Sequence, residues 1–396
     1  MEQGMNIIAD RVKSLPPYLF TQLRDKIRQA EANGIDLISL AIGDPVEPTP
    51  AYIVETLRAA ALDPANHQYP TDEHKGMLVF REAVARWYGR RYGVTLDPET
   101  EVLALSGVKE GIHHFIMALV NPGDVVLVTN PGYPAYRANA LMAGAEVYEV
   151  PLLAANGFLP AFEDIPEKVC RRTKAFFLNY PNNPTGACAD RQFVARLVAW
   201  ATERRILLVL DNPYGEIVFS RDRKLSLLQI PGAKDISVEL NSLSKAYNMT
   251  GWRIGMAVGS SKIIQAMCKF SENVASGVFN AIQLAGVTAM DKGDQDIENM
   301  LAIYRRRRET VLRAFSEMGV TVNAGAGTFY LWLPVPAGRS SLEFASKLLE
   351  EAGVLVTPGA AYGQYGEGYF RLSLTVPDVR LEEALERMRR AARKGW

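Results

Sequence analysis

Lys245 is the side chain in this sequence whose surroundings most suggest covalent chemistry. It ends the segment Ser242-Leu243-Ser244-Lys245, which follows an apolar run, and Arg253 comes eight residues later. A lysine amine is a nucleophile when its environment keeps it neutral. Two hydroxyls and an arginine beside it are typical of a site that binds an anion. The segment therefore predicts an amine next to an anion site, although an exposed loop lysine is the simpler interpretation of these residues alone.

Two further polar groups follow apolar runs, where an α/β sheet places its ligand crevice. Asp211 ends the run Ile206 to Leu210, and Tyr214 follows three residues later. A carboxylate here can pair with a protonated pyridine nitrogen and keep an aromatic ring electron-poor. Asn183 lies in Tyr180-Pro181-Asn182-Asn183-Pro184-Thr185-Gly186, whose prolines would hold its amide in a rigid loop. A helix cap for Asp211 and a plain turn around Asn183 are the alternatives.

Two more segments complete the set of groups. Ser106-Gly107-Val108-Lys109-Glu110-Gly111 joins a predicted strand to a predicted helix, so backbone N–H groups there can receive a phosphate. Tyr133 follows another apolar run, and its ring can stack on a flat ligand or fill core space. All the segments together offer an amine, an acid, an amide, a phosphate cradle and an aromatic ring. These groups match the needs of one cofactor.

A sheet must hold these segments together, and the sequence between about residues 100 and 260 predicts one. Short β-rich apolar runs alternate with helical patterns, as in an α/β sheet with mainly parallel strands. The predicted strands are Val102 to Leu105, Val125 to Thr129, Val147 to Val150, Ala175 to Asn179, Ile206 to Leu210, Ile236 to Leu240 and Ile254 to Val258. Helices are predicted between them, including Glu110 to Leu119 and Arg191 to Arg204, with Asp190 as the N-cap of the second.

The remainder of the chain predicts a second, smaller α+β unit. After about residue 290, a long charged helix and a final helix enclose predicted strands at Phe329 to Val335, Val354 to Thr357 and Phe370 to Thr375, with a helix from Leu342 to Glu351. A predicted strand, Leu37 to Ile42, belongs to the opening segment. Because 396 residues exceed the size of one growing core, we expect a large cofactor-binding domain over 46–288. Residues 1–45 and 289–396 would form the small domain.

The composition favours small-molecule partners. Lysine plus arginine (44) equals aspartate plus glutamate (44), so no net field favours nucleic acid or a membrane. The run Arg305 to Arg308 is expected to be a solvated helix face or an interface. The three isolated cysteines and the four histidines show no metal-ligand spacing, so we expect no metal. Without a secretion signal or a membrane-spanning run, a cytoplasmic location is expected.

With these motifs, the chain resembles the aminotransferases of fold type I, class I/II, which depend on pyridoxal 5′-phosphate (PLP). The likeness covers nearly the whole length and is carried by Asn183-Pro184-Thr185-Gly186 and Ser242-Leu243-Ser244-Lys245 in this order and spacing. It implies an α/β large domain with a mainly parallel seven-stranded sheet, PLP as cofactor, amino acid and 2-oxo acid substrates, and a homodimer.

The resemblance also implies a role for each candidate cofactor residue. Lys245 would bind PLP as a Schiff base and later move the proton of the substrate, with Asp211 and Tyr214 as the other catalytic residues. Asp211 would bind the pyridine nitrogen, Asn183 and Tyr214 the ring hydroxyl, and Tyr133 would stack on the ring. The implied phosphate ligands are Gly107, Val108, Lys109, Ser242, Ser244, Arg253 and, from a second subunit, Tyr69.

Substrate binding is implied for a second set of residues. Arg371 would clamp the α-carboxylate as a planar bidentate donor, with Gly43, Tyr18 and Asn183 beside it. Within the family the chain is most similar to the LL-diaminopimelate aminotransferase group. It departs from that group at Tyr69 to Gly76, which is two residues longer. We expect this loop to alter recognition of the far end of the substrate.

Other enzyme classes fit the sequence less well. There is no G-x-G-x-x-G after the first strand, as a nicotinamide dehydrogenase would have, and no G-K-[ST] of a P-loop enzyme. A PLP-dependent lyase or synthase on the same scaffold stays open, because it shares the first chemical steps. A non-catalytic binding protein is disfavoured by the presence of Lys245.

Overall fold

The computed structural model describes residues 7–16, 19–32, 34–69, 74–322 and 324–395. Its strands are β1 Ile38–Ser39, β2 Val102–Leu105, β3 Val125–Asn130, β4 Glu146–Pro151, β5 Thr173–Asn179, β6 Leu207–Asp211, β7 Ser237–Ser242, β8 Gly255–Gly259, β9 Tyr330–Pro334, β10 Val354–Leu355, β11 Thr357–Pro358 and β12 Tyr369–Ser373. Its α-helices are α1 Asp10–Lys13, α2 Leu19–Ala32, α3 Ala51–Ala61, α4 Leu78–Tyr92, α5 Val108–Leu119, α6 Pro134–Met142, α7 Glu167–Cys170, α8 Arg191–Arg204, α9 Ala233–Ile236, α10 Leu243–Ala246, α11 Ser261–Ser271, α12 Asn280–Lys292, α13 Asp294–Glu317, α14 Ser341–Ala352 and α15 Asp378–Arg393.

Seven strands form the central sheet, in the order β2-β8-β7-β6-β5-β3-β4. Only β8 runs antiparallel to its neighbours, so the prediction of a mainly parallel seven-stranded sheet is confirmed. Its inner strands are nearly continuous apolar runs because helices cover both faces. The carboxyl ends of the six parallel strands therefore meet at one edge.

The predicted elements of this region agree closely with the observed ones. The strand Val102–Leu105 and the helix Arg191–Arg204 have the predicted bounds. Asp190 caps that helix, since its side chain accepts a hydrogen bond from the Phe193 N–H at 2.8 Å. The strand β7 is longer than predicted and continues to Ser242, which brings the start of the lysine segment onto the sheet.

The C-terminal part forms a separate antiparallel sheet, in the order β11-β12-β9. The single strand predicted for Val354 to Thr357 is wrong, because two short strands serve two different sheets. Val354–Leu355 pairs in parallel with β1, whereas Thr357–Pro358 pairs with β12. The opening segment therefore packs against the C-terminal part, as expected, while the division into two domains remains a prediction.

The arginine run on α13, expected to be a solvated helix face or an interface, is exposed at Arg305 and Arg306 and buried at Arg307. Arg307 is buried, and its guanidinium pairs with Asp378 at 2.6 Å and with Glu47 at 2.5 Å. Arg306 pairs with the same aspartate. The run thus joins α13 to the start of α15 and to the loop before α3. No helix among the described residues has the length and apolar character to cross a bilayer.

Candidate active site

A cleft of about 560 Å³ lies at the carboxyl edge of the central sheet. Eleven of the predicted site residues line it: Gly43, Val108, Lys109, Tyr133, Asn183, Asp211, Tyr214, Ser242, Ser244, Lys245 and Arg253. The ends of β2, β3, β5, β6 and β7, with the segments that follow them, each contribute one part of the wall. The described residues contain no cluster of three or more His, Cys, Asp or Glu side chains suited to a metal.

Lys245 enters the cleft from α10, the single helical turn that follows β7. Ser242 caps this turn, because its hydroxyl oxygen accepts from the Ser244 N–H at 3.1 Å. The Lys245 amine donates to the Gly43 carbonyl oxygen at 2.8 Å. Burial, together with the positive charges of Arg253 and Arg371, lowers the pKa of Lys245 to about 8, although Asp44 opposes the shift. A sizeable fraction of the amine is therefore neutral and nucleophilic near neutral pH.

Asp211 is a buried carboxylate with one oxygen unused by the protein. Its Oδ2 accepts a hydrogen bond from the Tyr136 hydroxyl, and its Oδ1 has no partner among the described residues. Burial raises the pKa of Asp211 to about 7, and the Tyr136 hydrogen bond works against that rise. A buried polar atom without a partner is costly. A protonated ring nitrogen in the cleft would give Oδ1 both a donor and an opposite charge.

Asn183 and Arg371 meet on the opposite side of the cleft. Arg371, fully buried on β12, donates to the Asn183 side-chain oxygen at 2.7 Å and to the Ala41 carbonyl oxygen at 2.5 Å. Its guanidinium carbon lies 3.9 Å from the ring centroid of Tyr330. The arginine is therefore held by an aromatic face and by two neutral oxygens. This arrangement suits an incoming carboxylate.

The segment predicted to be a phosphate cradle, Ser106 to Gly111, is the turn that leads from β2 into α5. Gly107, with φ +100°, precedes α5, and no side chain of the described residues caps that helix. A Cβ at Gly107 would lie 2.4 Å from an Arg253 nitrogen, so the close approach requires glycine. Arg253 itself donates to the Ser106 carbonyl oxygen at 3.2 Å. With Ser242 and Ser244 beside it, the helix N-terminus forms an anion site.

The sequence reasoning missed several residues of the site, among them Tyr136, Asn179 and Tyr330. Tyr136 lies one helical turn after Tyr133, and that spacing could have placed it on the same face. Asn179 ends β5, and its side chain accepts from the Asn183 N–H at 2.6 Å and donates to the Asp211 carbonyl oxygen at 2.7 Å. Tyr330 comes from β9, and no local pattern brings it to the cleft.

Tyr330 also explains why residue 43 is glycine. A Cβ at Gly43 would lie 1.7 Å from the Tyr330 hydroxyl oxygen, so only glycine allows the two to approach. The same hydroxyl lies 3.4 Å from that of Tyr214. Tyr330 therefore links the predicted substrate side of the cleft to the predicted ring side.

Among the described residues, the predicted residue Tyr69 lies away from this cleft. It is 78% exposed and lines a separate surface depression with residues 276–280. That depression shares no lining residue with the cleft. Tyr18 lies outside the described residues, as do residues 70–73 of the longer loop.

The geometry fits PLP. The cofactor has an aldehyde, a phosphate and a pyridine nitrogen, and the cleft offers an amine at Lys245, an anion site around Gly107 and Arg253, and the unpartnered oxygen of Asp211. The unpartnered Asp211 oxygen is the strongest evidence for the cofactor, because it defines a place for a positively charged donor.

Comparison with known proteins gives a consistent result. The sequence model of the family described as "Aminotransferase class I and II" matches residues 35–388. The chain is 48% identical to the LL-diaminopimelate aminotransferase of Moorella thermoacetica over 386 residues, 98% of each chain. It is also 48% identical to the enzyme of the same name from Aquifex aeolicus over 381 residues, 96% of this chain and 98% of the relative.

Solved structures agree with this assignment of the fold. A substrate-bound BacF structure from Bacillus subtilis superposes with a TM-score of 0.93 at 40% identity, covering 98% of each chain. An aspartate aminotransferase mutant from Thermus thermophilus gives a TM-score of 0.90 at 30% identity, covering 98% of this chain and all of the other. Both likenesses extend over the central sheet, the C-terminal sheet and the cleft between them.

Proposed function

Because this chain belongs to the family of class I and II aminotransferases, we propose that its amino donor is LL-diaminopimelate. The chain is a PLP-dependent aminotransferase, which moves an amino group from an amino acid to a 2-oxo acid. The family and the named relatives decide against the lyase or synthase alternative. One observation carries the choice of donor, namely the 48% identity over nearly the full length of relatives that bear this name.

The charges of the cleft support a donor with two amino acid ends. LL-diaminopimelate has a second carboxylate and a second ammonium group at its far end. Arg24 and Lys109 bring positive charge to the cleft wall, and Asp44 brings negative charge. Opposite charges at separate positions suit that far end better than they suit an apolar side chain.

PLP, when bound, supplies the electron sink that allows the amino group to leave one substrate and join the next. Lys245 would hold the cofactor covalently and then carry a proton to and from the substrate Cα. Asp211 would keep the ring nitrogen protonated through its free oxygen, and Tyr136 would hold that carboxylate in place. Arg371 would bind the α-carboxylate and so orient the Cα–H bond toward the Lys245 amine.

We propose further that the active unit is a homodimer in which Tyr69 reaches the phosphate of the other subunit. The exposure of this tyrosine, outside its own cleft, supports the arrangement. The cytoplasmic location expected from the sequence remains a prediction.

A substrate screen tests the donor. The holoenzyme is mixed with one amino acid at a time, without acceptor, and the conversion of the bound cofactor to its amine form is followed by absorbance. LL-Diaminopimelate should convert the cofactor at least about tenfold more efficiently than alanine, aspartate, glutamate or an aromatic amino acid. Equal or better conversion by one of those four would contradict the donor while leaving the aminotransferase assignment intact.

A further inference from the structure

Behind the cleft, a buried glutamate joins the two loops that hold opposite ends of the cofactor. The strands β6 and β7 are parallel neighbours, with Asp211 opposite Leu240. Asp211 ends β6, and Tyr214 lies in the loop that follows. Ser242 ends β7, and Ser244 and Lys245 lie on α10, the helical turn that begins the connection after β7. Glu239 lies on β7 just before that connection and is completely buried.

Four neutral donors surround the Glu239 carboxylate. Its Oε1 accepts from the Tyr88 hydroxyl at 3.0 Å and from the Asn212 side-chain N–H at 2.8 Å. Its Oε2 accepts from the Ser226 hydroxyl at 2.7 Å and from the Leu227 N–H at 3.2 Å. No lysine or arginine of the described residues forms an ion pair with it. Burial raises the pKa of Glu239, whereas the four donated hydrogen bonds lower it and so favour the ionised carboxylate.

The hydrogen bonds continue from Glu239 to both loops. Asn212 follows Asp211 directly, and its backbone N–H donates to the Leu240 carbonyl oxygen at 2.8 Å. On the other side, the Tyr88 hydroxyl accepts from the Asn241 side-chain N–H at 3.2 Å. The Asn241 side-chain oxygen in turn accepts from the Ser242 N–H at 2.8 Å. We call the four side chains Asn212, Glu239, Tyr88 and Asn241 the buried brace.

Burying a carboxylate without a cation at this position is energetically unfavourable. An apolar side chain of similar size would avoid the cost of desolvating the charge, which is several kcal/mol in order of magnitude. A hydrogen-bonded polar network gives rigidity and fixed orientation instead. In this network every Glu239 oxygen is satisfied, whereas Asn212 Oδ1 has no partner among the described residues. The brace touches no part of the cleft surface, so its effect on the cofactor must pass through the two loops.

We propose that Glu239 is a positioning residue that, through the buried brace, fixes the distance between the ring-binding loop after β6 and the amine- and phosphate-binding loop after β7. The inference rests on the placement of PLP in the cleft and not on the identity of the amino donor. Loosening the brace should let the two loops move relative to each other, and the cofactor, which spans both, should bind less tightly.

A matched pair of tyrosines on α4 tests the proposal. Tyr88→Phe removes the hydroxyl that joins Glu239 to Asn241. Tyr92→Phe removes a hydroxyl from another buried ring 5.3 Å away, and this hydroxyl faces Glu216 and makes no hydrogen bond to the buried brace. Three quantities are measured for each: the dissociation constant of PLP from the apoprotein, the visible circular dichroism of the bound cofactor, and the urea unfolding of the apoprotein.

Tyr88→Phe should weaken PLP binding about tenfold, in line with the loss of a hydrogen bond to a charged group, and should change the visible circular dichroism band. Tyr92→Phe should leave both within twofold of the unsubstituted protein. If Tyr88→Phe binds PLP as the unsubstituted protein does, with the same dichroism, the brace does not position the cofactor and the proposal fails, whatever happens to apoprotein stability.

Glu239→Gln provides a second variant if Tyr88→Phe does not fold. The glutamine keeps the shape but removes the charge. Its NH2 group either meets the Leu227 N–H, which cannot accept, or requires the Asn212 amide to turn over so that its oxygen accepts. PLP affinity should again fall by about fivefold or more. Unchanged affinity in this variant would also overturn the proposal. Failure of the unsubstituted apoprotein to bind PLP would instead count against the placement of the cofactor.

Discussion

The Lys245 amine donates to the Gly43 carbonyl oxygen across the cleft, at 2.8 Å. Gly43 belongs to the opening segment and the lysine to the loop after β7, so the contact joins the two sides between which a substrate must bind. The same glycine lies against Tyr330, where no other residue would fit. The amine is thus held next to the predicted site of the substrate carboxylate before any ligand is present.

The lowered pKa of Lys245 gives a pH dependence for cofactor capture. The neutral amine is the reactive form, and its fraction rises as the pH rises through about 8. The rate at which the apoprotein captures PLP should therefore increase from pH 6.5 and level off by about pH 9. Stopped-flow absorbance at constant ionic strength measures it. A rate that keeps rising tenfold per pH unit to pH 10 would show an ordinary lysine.

Removing the Tyr136 hydroxyl should raise the pH below which the affinity for PLP falls. The hydrogen bond from this hydroxyl lowers the pKa of Asp211, so Tyr136→Phe raises that pKa above about 7. A larger fraction of the carboxyl is then protonated at neutral pH and cannot pair with the ring nitrogen. The pH below which PLP affinity falls should move upward by about one unit. Equilibrium titrations of the apoprotein from pH 5.5 to 9 measure this shift.

Tyr180→Phe is the control for that experiment. Its hydroxyl is also in the core but donates to the Phe158 carbonyl oxygen, away from Asp211. In this variant, the pH below which PLP affinity falls should be the same as in the unsubstituted protein. An equal shift in both variants would mean that the effect comes from general loosening of the core.

Arg371→Lys should weaken the use of every amino acid substrate and leave the binding of the cofactor unchanged. Lysine keeps the charge but loses the planar pair of donors, so kcat/KM should fall about 100-fold for all donors alike. The dissociation constant of PLP should stay within about twofold. Arg253→Lys should instead weaken PLP binding and weaken all donors less, because that arginine lies at the predicted anion site. A loss confined to one donor for Arg371→Lys would place this residue at the far end of the substrate.

Mixing two inactive variants tests the shared site. If Tyr69 serves the other subunit, a heterodimer of Tyr69→Phe and Lys245→Ala chains has one site with neither substitution. Activity should then reappear as subunits exchange, and each variant incubated alone provides the control. Exchange proved by mass spectrometry without recovered activity would mean that Tyr69 acts in its own subunit or not at all.

The sequence predicted the parts of the site that follow strands of the parallel sheet. Asp211, Asn183 and the Gly107 turn each come directly after an apolar run, and the fold brings the ends of such runs to one edge. Tyr330 could not be predicted in this way, because it reaches the cleft from a strand of another sheet. The burial of Arg307 depends on Glu47 and Asp378, which are distant in the chain, so a local pattern of charges could not reveal it.

Transfer of labelled nitrogen tests the central claim most directly. The holoenzyme is incubated with ¹⁵N-labelled LL-diaminopimelate and a panel of 2-oxo acids, and the products are identified by mass spectrometry, with Lys245→Ala as the control. We predict that the label appears in the amino acid that corresponds to the added 2-oxo acid, and that the control forms none. Label released as ammonia, or no transfer to any acceptor, would contradict the claim that this chain is an aminotransferase for LL-diaminopimelate.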